Sequence, residues 1–105
     1  MKYIRQTLAY FGVGSFQFDS ILWQKWPQSR VTFLKDILSE NIGVGMNPRQ
    51  VCATFGFDKK EYLRGVWSYP IPNLAGKYKR TLNFYFGNDN VVNSIKIKYK
   101  LSRTD

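Results

Sequence analysis

The chain has 105 residues, 44% of them hydrophobic and 17% aromatic. That composition suits one domain with a core of its own and excludes a disordered tail. Its net charge of +9 makes a surface that attracts acidic protein, nucleic acid or anionic lipid; with one cysteine and no histidine, an internal disulfide and a Cys/His zinc cage are both excluded.

Taken in chain order, Lys2 and Arg5 precede an uncharged run, TLAYFGVGSFQF at 7–18. The run is too short for a membrane span and is broken by Gly12, Gly14, Ser15 and Gln17. It reads as an N-terminal extended arm or extra strand, and a cytoplasmic location is expected in preference to secretion. Asp19 is placed to cap a short helix, SILWQKW, which Pro27 interrupts. In RVTFLKDILSEN, Val31, Leu34, Ile37 and Leu38 share one helical face, with Ser29 as the expected N-cap and Gly43 as a stop. Asp36 and Glu40 lie one turn apart on what is expected to be the wet side.

GMNPRQVCATFG carries a dense local code. Asn47 is an N-cap, Pro48 falls at the first helical position, and Gln50 completes a capping box. Val51 and Phe55 share a face, Cys52 beside them is expected to behave as a small hydrophobe, and Gly56 is expected to end the helix in a left-handed conformation.

After residue 60 the hydrophobic period falls to two. YLRGVWSYPI reads as one strand, with Leu63, Trp67, Tyr69 and Ile71 opposed to Tyr62, Arg64 and Ser68. PNLAGK is a loop. In YKRTLNFYF, Tyr78, Leu82, Phe84 and Phe86 oppose Lys79, Thr81, Asn83 and Tyr85. GNDN is a hairpin connection. In VVNSIKIKYKL, Val91, Ile95, Ile97, Tyr99 and Leu101 oppose Ser94, Lys96, Lys98 and Lys100. The expected fold is therefore α+β: a helix pair packed on one face of a three-stranded antiparallel meander sheet. The single domain divides into an arm at 1–18, a helical part at 19–56 and a sheet at 60–101.

GMNPRQVCATFG resembles the Gly-Met-Thr, Val, Leu/Phe-Gly signature of the SmpA/OmlA (BamE-like) family. LNFYFGNDNVVNSIKI is similar to that family's closing hairpin, and FDSILWQKWPQSRVTFLKDILSENIGVGM to the leader of many small bacterial proteins with this domain. The resemblance spans about residues 18–99. It implies helices on a three-stranded sheet and a non-enzymatic role in gripping other proteins, as in lipoproteins of outer-membrane assembly and in inhibitors of similar layout.

No histidine is present to act as the commonest general base, and Cys52 has no base in its neighbourhood of sequence. No glycine-rich segment has nucleotide-binding spacing. The chain is thus expected to be no enzyme and to carry no cofactor or metal. Positive charge is concentrated late: residues 1–58 hold six Lys/Arg against four Asp/Glu, whereas 59–100 hold nine against two. Lys96, Lys98 and Lys100 alternate along one strand and so point the same way. Lys79 and Tyr85 join them from the neighbouring strand, with Tyr62 and Arg64 beyond. Alternating lysine also protects an exposed sheet edge against aggregation, but aromatic residues among the cations suggest a docking face. The segment GVWSYPIPNLAG adds anchors at Tyr69, Ile71, Asn73 and Leu74. The expected partner is an acidic protein, most concretely a toxin domain neutralised by a small inhibitor or immunity protein. Nucleic acid on the same face is the alternative, and an accessory role in envelope assembly a second.

Overall fold

In the computed structural model the described residues are 16–72 and 78–101. Residues 1–15 of the expected N-terminal arm, the loop with Asn73 and Leu74, and the side chains of Tyr78, Lys100 and Leu101 lie outside them. Among the described residues three α-helices, α1 (Ser20–Lys25), α2 (Arg30–Ser39) and α3 (Pro48–Phe55), precede four strands. These are β1 (Lys60–Tyr62), β2 (Val66–Ile71), β3 (Tyr78–Phe86) and β4 (Val92–Leu101), ordered β1-β2-β3-β4 with every pairing antiparallel. The class is α+β, with a four-stranded sheet where three strands were expected.

The helix ends follow local rules. Asp19 accepts bonds from the backbone of Ile21 and Leu22 at 2.9 and 3.1 Å. Asn47 and Gln50 exchange reciprocal bonds, both 2.9 Å, to form the expected capping box. Ser29 does not cap α2. It belongs to a 3-10 turn, Pro27–Ser29, that runs directly into the helix. At the other end of α2, Asn41 takes the left-handed position (φ 52°), ahead of Gly43. The Ile42 N–H then closes onto Ile37 O at 2.9 Å, a Schellman-type ending. Gly56 has the expected positive φ of 96° but an extended ψ of −168°, a region open in practice to glycine alone.

The extra strand comes from a turn hidden inside YLRGVWSYPI. Tyr62 pairs with Val66 across Leu63, Arg64 and Gly65, and both Arg64 (φ 68°) and Gly65 (φ 71°) are left-handed. Leu63, expected inside, stands at the tip and is 91% exposed. A side chain at Gly65 would crowd Phe86, whose Cβ lies 3.3 Å from the position of an added Cβ. At the start of β4 the pairing slips by one residue between Tyr85–Ser94 and Phe86–Val92. This bulge re-aims the chain, so Val92 rather than Val91 fills the core.

The helices cover one face of the sheet. Trp23, Phe55, Tyr69 and Phe84 are fully buried and interlock, with ring centroids 4.7 Å apart for Phe55–Phe84 and 5.4 Å for Trp23–Phe55. The Trp23 indole donates to Phe55 O at 3.0 Å, and the Tyr69 hydroxyl donates to Gly56 O at 2.8 Å. Each aromatic thus buries its ring while its polar atom remains satisfied. Phe33, Leu34, Ile37, Val51, Ile71, Leu82 and Val92 pack around them in the same core. Asp36, expected to be solvated, is only 6% exposed and accepts the Phe18 N–H at 2.7 Å. Of the expected apolar stripe, Leu38 is exposed, while Tyr99, expected to face inward, is 64% exposed.

Candidate functional site

None of the described helices packs on the other face of the sheet, which forms a shallow hollow of about 700 Å3. Strand alternation decides what lines it. Lys60, Ser68, Asn83 and Lys96 stand opposite one another across all four strands. A second row, Tyr62, Val66, Tyr85 and Ser94, runs beside it, and Thr81 pairs with Lys98 on the far side. Adjacent strands are about 4.8 Å apart, so Lys60 and Lys96 leave the backbone some ~14 Å from each other.

The hollow has a polar floor and a cationic rim. Ser68 and Asn83 are 5% and 4% exposed, although none of the described helices covers them. The Asn83 side-chain amide donates to Thr81 Oγ1 at 3.0 Å. Lys79, Lys96 and Lys98 are exposed. Lys60 Nζ lies 5.5 Å from the ring centroid of Tyr62, and Lys96 Nζ lies 5.6 Å from that of Tyr85. These cation–π contacts hold each ammonium beside an aromatic plane. No carboxylate is among the described residues that line it. Glu61, the acidic residue of β1, pairs across to Trp67 on the opposite side and binds Lys59 at 3.2 Å.

Of the residues expected to bind a partner, the structure brings Lys79, Tyr85, Lys98 and Tyr62 to the hollow and Lys96 to its edge. Lys100 pairs with Lys79 by backbone register. Arg64 is displaced to the β1–β2 turn. Tyr69 and Ile71 are corrections: they are 0% and 3% exposed and belong to the core. The alternation that turns Ser68 outward turns both of them inward. Lys60 was not anticipated, because β1 was not seen as a separate strand. Ser68, Thr81 and Asn83 were seen only as the polar side of their strands.

A second, smaller depression of about 390 Å3 lies on the other side, between α3 and β2, with Cys52, Phe57 and Trp67 in its lining. Lys59 Nζ sits 4.5 Å from the Trp67 ring centroid. Cys52 is half-buried there, with its thiol free. Among the described residues no three His, Cys, Asp or Glu side chains gather in a group able to hold a metal. None of the described helices is long and apolar enough to cross a membrane.

No protein-family model, curated protein or solved structure matches the chain. The likeness to the SmpA/OmlA family therefore rests on the quoted motifs alone.

Proposed function

We propose that the chain is a non-catalytic binding module whose open sheet face docks an acidic surface of a partner protein. The carrying observation is the lining of the hollow, where lysines from β1, β3 and β4 converge and no carboxylate among the described residues answers them. Cationic groups gathered around a concavity without internal partners raise the local potential and speed encounter with an acidic partner. The most concrete form is a small cytoplasmic inhibitor or immunity protein that blocks a toxin domain, as the SmpA/OmlA-like motifs suggest.

The tyrosines weigh against nucleic acid as the occupant. Single-strand binders present open aromatic faces on which bases stack. Here Tyr62 and Tyr85 each already have a lysine over the ring.

Affinity purification from the native cell tests the proposal, with wild-type bait beside a variant carrying Lys60→Glu, Lys79→Glu, Lys96→Glu and Lys98→Glu. The expected result is a stoichiometric acidic protein that wild type retains at moderate salt and the variant loses. Nucleic acid as the sole co-purifying species, released log-linearly with salt, would sink it.

A further inference from the structure

We infer that the floor of the hollow is a carboxylate subsite, in which the hydroxyls of Ser68 and Thr81 receive one Asp or Glu side chain of the docked partner. The inference rests on the protein-docking reading above and adds to it the residues that would distinguish an acidic side chain from charge in general.

Three observations carry it. Ser68 is 5% exposed and lines the hollow, and its hydroxyl is not among the fully buried, unpartnered polar atoms of the described residues, so it opens onto the hollow. A hydroxyl open to the hollow is available to donate to a ligand seated there. Thr81 Oγ1 already accepts from Asn83 Nδ2 at 3.0 Å. That bond occupies a lone pair and leaves the Thr81 O–H to donate elsewhere. Asn83 is thus a positioning residue. Ser68 and Thr81 are diagonal cross-strand neighbours, since Ser68 pairs with Asn83 and Pro70 with Thr81. Diagonal neighbours lie roughly 7 Å apart, a span that a planar carboxylate bridges by accepting one bond at each oxygen. Lys60 and Lys96 flank this point within the same cross-sheet row and supply the countercharge.

The chemistry selects an acceptor-only, negatively charged group. A glutamine side chain offers one good acceptor and an amide that meets four lysines. A glutamate offers two acceptors and a charge that those lysines favour.

The test is a titration of the full chain, followed by amide NMR, with a capped hexaglutamate peptide as probe and capped hexaglutamine and oligothymidylate as controls. Hexaglutamate is expected to move the resonances of Ser68, Thr81 and Asn83, and hexaglutamine to leave them in place. Ser68→Ala combined with Thr81→Val should weaken hexaglutamate binding about tenfold. Ser68→Thr combined with Thr81→Ser keeps both hydroxyls and should retain the affinity, which separates loss of donors from loss of packing. If hexaglutamate moves the resonances of Lys60 and Lys96 but the alanine–valine variant binds it equally well, the subsite is overturned while the docking face stands. If hexaglutamate moves no resonance of the open face, or oligothymidylate binds there more tightly, the docking reading falls and the subsite with it.

Discussion

Arg30 and Asp58 meet in a two-pronged ion pair, Nη1 to Oδ2 at 2.9 Å and Nη2 to Oδ1 at 3.2 Å, that ties the start of α2 to the segment leaving α3. The arginine side chain is 2% exposed and the aspartate 46%. Its remaining donors reach Trp23 O at 2.9 Å and Pro70 O at 3.0 Å, and the guanidinium lies 4.7 Å from the Trp23 ring centroid. One side chain therefore links helix, loop and sheet. Removing Arg30 should cost more than removing its partner, because Asp58 is half in water while Arg30 also holds two backbone carbonyls. We expect Arg30→Ala to lose about 3–5 kcal/mol and Asp58→Ala about 1–2 kcal/mol. Urea unfolding of both variants checks the order; equal losses would show that the backbone bonds contribute nothing beyond the ion pair.

The β1–β2 turn carries a second prediction. Arg64 adopts a left-handed conformation that disfavours a long L side chain. Arg64→Gly should therefore stabilise or leave stability unchanged, within about 1 kcal/mol. Gly65→Ala should destabilise by about 1 kcal/mol or more, since it adds strain at positive φ and crowds Phe86. Thermal midpoints of the two variants should move apart; a shift of both in the same direction would contradict the turn geometry.

Tyr69 predicts a pH dependence. Burial, with smaller contributions from Cys52 and Asp58, pushes its phenol well above the ordinary tyrosine range. The folded state then holds its proton through pH values at which the unfolded chain releases it. Stability is fully present below about pH 10, the unfolded value, and falls as pH rises beyond it. Tyr69→Phe loses the bond to Gly56 O and should cost about 1–2 kcal/mol at pH 7, but its stability should decline less steeply above pH 10. Parallel alkaline slopes for the two proteins would show that Tyr69 is not the group responsible.

The lysine face should cost the free protein stability. Lys79 and Lys98 are diagonal neighbours across β3 and β4, since Lys98 pairs with Thr81, and like charges at neighbouring positions repel. Replacing Lys98 or Lys79 with Gln should raise stability by a few tenths of a kcal/mol at low salt, and the gain should vanish as salt screens the charges. Chemical unfolding at two ionic strengths measures it. A loss of stability on either substitution would mean that the lysines serve the fold.

How far the sequence discloses this molecule depends on the range of each interaction. The capping box at Asn47 and Gln50 is legible because four consecutive residues contain all its parts. The outward row of Lys96 and Lys98 is legible because alternation is a property of one strand. The turn at Leu63–Gly65 is not, since Leu-Arg-Gly lacks the Asn or Asp that usually announces left-handed residues, and Leu63 happens to fit the alternation. Without that turn, β1 and Lys60 stay hidden. Asp36 and Arg30 look like ordinary helix-surface charges until Phe18 and Asp58, each distant in sequence, arrive beside them. The pairing of Ser68 with Asn83, on which the floor of the hollow depends, is set by register between strands and has no trace in either strand alone.

Lysine footprinting of the complex with a co-purified protein partner tests the central claim most directly. In the free protein, acylation should modify the exposed Lys25, Lys35, Lys60, Lys79, Lys96 and Lys98 alike. On binding, Lys60, Lys79, Lys96 and Lys98 should become protected while Lys25 and Lys35, on the helices, stay reactive. Protection of Lys25 and Lys35 with the four sheet lysines still modified would place the partner on the helical side and contradict the account.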